Sequence, residues 1–330
     1  MHSPSTQAPC VPQDPDRNRH LTNRYACLAF DAMGCRFESL LETDGTTMSR
    51  SHAQSVSEEI RELILDWHNR LSIFDPTSLV SQINRADEGV EFFLDDNMFS
   101  LIMLCEQLRN ATVGAFNIAA GTLMNAHGFR SEFTDSTNCH HQSLDHLSLD
   151  SAIMLNPHRQ SIMKSDRRIS LDFGAIGKGY VLDLVRKELS EYGIQNAFIH
   201  GGTSSILALG HNSNGQPWSS QIHDGLGVYL SGFAAGISES DSQTHVDDDI
   251  ELSHMMDPVS KSPASNSLKK VVCVHSSAAV ADAYSTACSV SPELVHALNT
   301  KHCSIIAISN SASPFIHDPL EVVRTLRNTQ

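Results

Sequence analysis

The spacing of apolar residues divides the chain into helical and strand-like stretches. Apolar side chains three or four positions apart predict helices over 55–71, 97–110 and 176–193, and two more within "SAAVADAYSTACSV" and "PELVHALN". Ser55 and Glu58 match a capping box, so we expect the first helix to begin there.

Short apolar runs between these segments predict strands. Residues 26–45 are expected to form a strand pair closed by an Asp-Gly turn, and further strands are predicted in "RRISLDF", "NAFIHGG", "SSILALG", "KKVVCV" and "CSIIAIS". Strands and helices alternate along 167–210, which favours a mixed fold over an all-helical or all-strand one.

Four polar segments are expected to lie outside the core. Residues 1–24 are typical of a disordered arm, 316–330 are interpreted as a C-terminal tail, and 238–268 as a solvated loop. Residues 131–150 contain "NCHHQ", for which a metal site and a surface insertion are the two interpretations. We favour the insertion, because adjacent histidines point in different directions and no second ligand pair follows.

Composition, charge and cysteine placement narrow the function classes. The chain has 330 residues, of which 40% are hydrophobic, as in globular proteins. Its net charge of −15 argues against nucleic acid as a partner, because phosphate backbones require a basic surface. The eight cysteines include no CxxC pair, and no apolar run is long enough for a signal peptide or a membrane span. We therefore expect a soluble, cytoplasmic protein, with export left open.

The stretch "LDFGAIGKGY" (171–180) joins a predicted strand to a predicted helix. Its glycines let backbone N–H groups approach a ligand, and the helix N-terminus favours an anion such as phosphate. Lys178 adds a positive charge. The pattern matches neither standard phosphate-loop motif, so a tight turn is the alternative interpretation.

Two further stretches carry candidate chemistry. In "ADAYSTA", Asp282 and Thr286 are four residues apart on a predicted helix with Ser285 beside them, a set of hard oxygen ligands suited to Mg²⁺. An exposed polar helix face is the alternative. In "HMMDP", His254 is either a structural histidine or a general base at neutral pH.

In this order along the chain, these stretches resemble the ApbE family, the FAD:protein FMN transferases, over roughly residues 28–310. "LDFGAIGKGY" is similar to the family's D-L-G-x-I-A-K-G-Y, "HMMDP" to H-x-I-D-P, and "SAAVADAYSTA" to S-A-x-x-A-D-A-L-S-T-A. Weaker similarities lie in "MGC", "LSIFDPTSLVSQIN", "TVGAFN" and "AFIHGGTSSILALG". The resemblance implies an α+β domain over 25–315 built from closely associated subdomains.

The resemblance also implies an activity, which is Mg²⁺-dependent transfer of FMN from FAD to a threonine hydroxyl of a target flavoprotein with release of AMP. His254 would be the catalytic base. The implied metal ligands and neighbours are Ala175, Asp282, Ser285 and Thr286. The implied contacts to FAD are Met33, Phe74, Ala115, Phe116, Asn117, Asp172, Lys178 and Met256.

The chain departs from the family pattern at several places around this site. Asn117 and Thr203 stand where the family has Asp, and Phe74 replaces a common Tyr. The T-S-G element either reads "SES" at 238–240 or is absent. We expect these changes to affect substrate geometry and turnover. Two alternatives stay open. One is an FAD pyrophosphatase that yields FMN and AMP, because the same residues would serve both reactions, and the other is a non-catalytic FAD-binding protein, because of the altered loops.

Overall fold

The computed structural model describes residues 24–43, 49–128, 144, 146–240, 244–247, 250–253, 255–264, 267–298, 301–309 and 313–325. The predicted arm, apart from residue 24, lies outside the described residues, as do the "NCHHQ" segment and His254.

An antiparallel sheet of eight strands forms the centre of the described part of the chain. Its strands are β1 (Tyr25–Ala32), β2 (Cys35–Glu42), β6 (Ala197–Gly201), β7 (Ser205–Leu209), β10 (Phe233–Glu239), β15 (Lys270–His275), β16 (Ser304–Ile308) and β17 (Phe315–His317). They lie in the order β1-β2-β6-β7-β10-β15-β16-β17.

The remaining strands form smaller sheets. One contains β8 (Trp218–His223), β9 (Leu226–Leu230) and β18 (Val323–Thr325), and another contains β3 (Phe92–Phe93), β4 (Ile153–Asn156) and β5 (Ser161–Lys164). Two pairs complete the set, β11 (Thr244–Asp247) with β12 (Ile250–Ser253), and β13 (Met256–Asp257) with β14 (Ser262–Pro263).

The α-helices are α1 (Arg50–Leu71), α2 (Leu79–Arg85), α3 (Asp96–Ala111), α4 (Gly121–Ala126), α5 (Gly177–Glu191), α6 (Ala278–Val290) and α7 (Leu294–Ala297), with a 3₁₀ turn at Ile118–Ala120. The α+β class predicted from sequence is therefore confirmed. Within the described residues, no helix is both long and apolar enough to span a bilayer.

The two faces of the central sheet pack against different partners, because side chains alternate along each strand. In β10, Ala234 belongs to the core that includes α1, α5 and α6, and Gly236 touches Ala281 of α6. Ala235 and Ile237 point to the opposite face, into the second core with β8 and β9. The helices and the small sheet thus lie on opposite sides.

Helices α5 and α6 approach each other more closely than most helix pairs can. A Cβ atom at Gly179 would lie 2.2 Å from the carbonyl oxygen of Ala278, so this position requires glycine. Asp183 of α5 also accepts hydrogen bonds from Ser277 Oγ (2.6 Å) and the Ala278 N–H (2.8 Å). These contacts cap the N-terminus of α6 with a side chain of α5.

Several predicted boundaries and elements need correction. Helix α1 begins at Arg50, where Ser49 Oγ accepts the His52 N–H, and not at Ser55. Strands β1 and β2 form the predicted pair and are joined by a turn at Met33 and Gly34, whereas the Asp-Gly dipeptide at 44–45 lies outside the described residues. The stretch "RRISLDF" is not the predicted strand. Its Leu171 bonds to a side chain instead, because Asn84 Oδ1 accepts the Leu171 N–H at 2.7 Å and Asn84 Nδ2 donates to the Leu171 carbonyl at 2.9 Å.

Two polar segments also contain regular structure. The predicted solvated loop at 238–268 includes the paired strands β11 with β12 and β13 with β14. The predicted tail begins inside β17, and its strand β18 pairs with β9. The polar, acidic sequence of 238–268 predicts a solvated loop, yet backbone pairing in a hairpin or at a sheet edge requires little apolar surface.

Candidate active site

A cavity of about 1910 Å³ borders the β1–β2 turn, the start of α5 and the middle of α6. Every predicted site residue within the described part of the chain lines it. These residues are Met33, Phe74, Ala115, Phe116, Asn117, Asp172, Ala175, Lys178, Met256, Asp282, Ser285 and Thr286. Motifs far apart in sequence therefore converge on one space. The roles of these residues in binding stay predictions, and His254 lies outside the described residues.

Asp282 connects α6 to the glycine-rich turn. Its Oδ2 atom accepts the Gly179 N–H at 2.7 Å and the Ser205 hydroxyl at 2.8 Å. The side chain is buried, and this burial raises the pKa of Asp282 to about 7, although the positive charge of Lys178 and both hydrogen bonds favour the ionised form. A cation in the cavity would favour the ionised carboxylate further.

A group of hydroxyls surrounds the next turn of α6. Ser285 Oγ donates to the Asp282 carbonyl oxygen at 2.9 Å. Ser238 Oγ lies 3.1 Å from Ser285 Oγ and 3.2 Å from Thr286 Oγ1. The "SES" segment, a departure from the family pattern, thus places the Ser238 hydroxyl within hydrogen-bond distance of two of the predicted metal-site residues.

The donor set in this part of the cavity fits Mg²⁺. It consists of one carboxylate, several hydroxyls and the backbone around Ala175, and Mg²⁺ prefers hard oxygen ligands and commonly takes one or two protein groups. Among the described residues, no cluster of three or more His, Cys, Asp or Glu side chains forms a site for a softer metal. The carboxylate at Asp282 is already oriented by Gly179 and Ser205.

The turn between Asp172 and Lys178 leads into α5. Asp172 Oδ1 accepts the Gly174 N–H at 2.5 Å, which folds the turn back on itself. The residue before the helix, Ile176, provides no side-chain cap. Of the first turn of α5, Lys178 lines the cavity, and the N–H groups of Gly177 and Gly179 are bonded to the Phe173 carbonyl oxygen and to Asp282. The helix dipole adds positive potential beside Lys178.

Asn117 has a structural reason to be an amide. Its Oδ1 accepts the Ala119 N–H at 2.9 Å, and its Nδ2 donates to the Leu149 carbonyl at 3.0 Å. An ionised aspartate could make the first bond but has no proton for the second. The departure from the family's Asp therefore joins the cavity loop to the segment at Leu149, and it removes a negative charge from the wall.

Aromatic and apolar side chains supply the other walls. The Phe74 ring is 57% exposed although it lines the cavity, whereas Phe116 and Met256 are buried. An exposed aromatic ring at the edge of a cavity provides a surface on which a planar ligand can stack.

The structure also adds residues that the sequence analysis did not single out. Ser205 and His68 both line the cavity. Ser205 bonds to Asp282 across 77 positions, and His68 bonds to Met33 across 35 positions. Ser205 lies in the weakly similar stretch "AFIHGGTSSILALG", whereas His68 is part of no recognised motif, and no pattern in the sequence signals either contact.

Comparison with known proteins identifies similar chains. The model of the ApbE family matches residues 33–307. A Vibrio cholerae protein named FAD:protein FMN transferase is 23% identical over 261 residues, covering 74% of this chain and 78% of the relative. A Chlamydia trachomatis protein of the same name is 25% identical over 280 residues, covering 81% of this chain and 86% of the relative.

Solved structures show the same fold. The ApbE protein from Thermotoga maritima superposes with a TM-score of 0.76 at 21% identity, covering 90% of this chain and 98% of that one. The flavin transferase ApbE from Vibrio cholerae gives a TM-score of 0.77 at 18% identity, with the same coverage.

Proposed function

The chain belongs to the ApbE family, and we propose that it transfers FMN from FAD to a threonine hydroxyl of an acceptor flavoprotein, releasing AMP in an Mg²⁺-dependent reaction. The relatives named FAD:protein FMN transferase support the reaction class. The observation that carries the proposal is the hydrogen bond from Gly179 to Asp282, which joins the anion-binding turn to the predicted metal ligand in one cavity.

The cavity has the chemistry that a dinucleotide requires. The N-terminus of α5 and Lys178 offer positive potential to a pyrophosphate, and Phe74 offers a stacking surface to a ring system. Ligand pockets usually enclose about 300–1,000 Å³. A cavity of about 1910 Å³ leaves room for FAD together with a segment of an acceptor protein.

The proposed step replaces the phosphoanhydride bond of FAD with a phosphoester bond to threonine. The threonine Oγ forms a bond to the phosphorus of the FMN half, the bond from that phosphorus to the bridging oxygen breaks, and the bridging oxygen leaves with AMP. We assign the role of proton acceptor to His254 by family resemblance. Asp282 and Thr286, with the Ala175 carbonyl, would hold Mg²⁺, which supplies positive charge beside the phosphate oxygens when bound.

The other residues of the cavity orient FAD. Lys178 and the first turn of α5 hold the phosphates, and Phe74, Met33 and Met256 confine the rings. Holding the hydroxyl and the phosphorus in line contributes on the order of 7–11 kcal/mol to lowering the barrier.

A reconstitution experiment tests the proposed function. The protein is incubated with FAD, Mg²⁺ and candidate acceptor flavoproteins, and covalent FMN is measured by intact mass and in-gel flavin fluorescence, with AMP measured by chromatography. We expect AMP and covalent FMN in equal amounts. Free FMN with AMP in the absence of an acceptor would instead identify a pyrophosphatase, and bound FAD with no turnover would identify a binding protein.

Removal of the metal provides a matched test of the Mg²⁺ requirement. Chelation with EDTA should abolish product formation, and added Mg²⁺ should restore it. The melting temperature should change little on chelation, because Gly179 and Ser205 hold the Asp282 carboxylate without a metal. Full activity in excess EDTA would contradict the Mg²⁺ assignment.

A further inference from the structure

The two-residue turn between β1 and β2 contains an unusual residue for its geometry. Met33 has a φ of 50° and Gly34 a φ of 73°, so both central positions are left-handed, as in a type I′ hairpin turn. Such turns favour Asn or Gly at the first position, because other residues pay a steric cost in this region. Met33 therefore needs a contact that maintains its conformation.

His68 of α1 provides this contact. The Met33 N–H donates to His68 Nδ1 at 3.0 Å, and both residues line the cavity. A ring nitrogen that accepts a hydrogen bond carries no proton, so the neutral His68 ring has its proton on Nε2.

The Met33 side chain in turn contacts the start of α5. A Cβ atom placed on Gly177 would lie 3.2 Å from Met33 Cε and 3.0 Å from Leu71 Cδ1. The methyl group of Met33 therefore packs on Gly177, beside Lys178 and the helix N-terminus. His68, Met33 and Gly177 form a continuous chain of contacts from α1 to the predicted anion site.

We propose that His68 is a positioning residue that holds Met33 in its left-handed conformation and so keeps this cavity wall shaped for the substrate. Its effect on FAD rests on the proposed function, whereas its effect on Met33 does not. Loss of the Nδ1 acceptor releases the turn, withdraws the Met33 methyl from Gly177 and weakens FAD binding. The chemical step, which depends on Asp282 and the α5 turn, continues at a similar rate once FAD is bound.

Three variants test this proposal. His68→Leu removes the acceptor, and His68→Asn retains an acceptor oxygen close to the position of Nδ1. His52→Leu changes an exposed histidine of the same helix and is the matched control. The Met33 environment is measured by NMR of ¹³C-methyl methionine, with the signal assigned through Met33→Leu. FAD affinity is measured by flavin fluorescence, and KM and kcat are measured in the transfer assay.

We expect His68→Leu to shift or broaden the Met33 methyl signal and to raise the Kd and KM for FAD roughly tenfold, with kcat changed less than about twofold. His68→Asn should return the Met33 methyl signal towards its wild-type position and the Kd and KM for FAD to within about threefold of the wild type. His52→Leu should change neither the methyl signal nor these constants.

Two results would overturn the proposal. One is a Met33 signal in His68→Leu that is identical to that of the wild type, and the other is a displaced signal with unchanged FAD affinity. If the wild type itself binds no FAD, the proposed function fails, while the methyl signal still decides whether His68 positions Met33.

Discussion

Asp183 and Asp282 form reciprocal hydrogen bonds between α5 and α6, each from one helix to the start of the other. Asp183, on α5, accepts the Ala278 N–H at the start of α6, and Asp282, on α6, accepts the Gly179 N–H at the start of α5. Each helix therefore supplies a carboxylate to the N-terminus of the other, where the helix dipole favours negative charge. Only Asp282 of the two lines the cavity. We therefore expect Asp183 to serve stability and Asp282 to serve the reaction.

Asp282→Asn should separate these two roles. The amide oxygen can still accept hydrogen bonds from Gly179 and Ser205, so the melting temperature should stay close to that of the wild type. Loss of the carboxylate removes a hard anionic ligand, and we expect kcat to fall by at least about 100-fold. Thermal unfolding and the FMN-transfer assay measure the two effects. Asp183→Ala is the control. We expect it to lower the free energy of unfolding by about 1–2 kcal/mol and to leave kcat/KM within about threefold of the wild type. Equal activity losses in both variants would contradict the division of roles.

Gly179→Ala should destabilise the protein severely. The added Cβ would lie 2.2 Å from the Ala278 carbonyl oxygen and 2.5 Å from its carbon, both of them backbone atoms, so α5 and α6 must move apart. We expect a loss of about 3 kcal/mol or more in the free energy of unfolding, measured by urea denaturation.

The control for this variant is Gly89→Ala. Gly89 has a φ of 75° and no atom within 4 Å of the added Cβ, so only the left-handed backbone cost of about 1–2 kcal/mol applies. Similar losses in the two variants would show that the close helix contact is not the cause.

Phe74→Ala should weaken FAD binding without destabilising the fold. The ring is 57% exposed, so its removal creates no core cavity. An aromatic stacking pair contributes about 0.5–1.5 kcal/mol, which corresponds to a rise of roughly 2- to 12-fold in the KM for FAD. Phe93→Ala is the matched control, because Phe93 is 61% exposed and lies outside the cavity lining. An unchanged KM in Phe74→Ala would exclude a stacking role for this ring.

Lys164 should make stability depend on pH. Its ammonium group is buried and donates to three carbonyl oxygens, those of Asn84, Arg167 and Ile169. Burial lowers the pKa of Lys164 from 10.5 to about 8. Between these two values the unfolded chain holds a proton that the folded protein has released, so stability rises with pH over this range.

The comparison uses Lys164→Met, which lacks the titrating group. The free energy of unfolding of the wild type minus that of Lys164→Met should increase by up to about 3 kcal/mol as pH rises from about 8 to 10.5. Urea denaturation across this range measures the difference. Lys187→Met provides the control, since the Lys187 side chain is 74% exposed. The free energy of unfolding of the wild type minus that of Lys187→Met should not change with pH over this range. A flat difference for Lys164→Met as well would contradict the lowered pKa.

The sequence by itself indicated the α+β class, five of the seven described α-helices, six of the eight strands of the central sheet and, through the family resemblance, twelve of the residues that line the cavity. Helical spacing and strand alternation are local patterns, and the motifs around Lys178 and Asp282 have recognisable spacing. The two boundaries that it misjudged have different causes. The start of α1 depends on which of two nearby serines caps the helix, which is a local matter, whereas Leu171 is paired by a side-chain amide of α2 that lies 87 positions away.

Only the tertiary structure decided how these residues act on one another. The bond from Gly179 to Asp282 joins positions 103 apart, and the bonds from Ser205 to Asp282 and from Met33 to His68 span 77 and 35 positions. Burial in the folded protein raises the pKa of Asp282, and the Leu149 carbonyl, which is close only in space, requires a donor at Asn117. Hydrogen bonding and desolvation depend on distances in space, which a pattern along the chain does not contain.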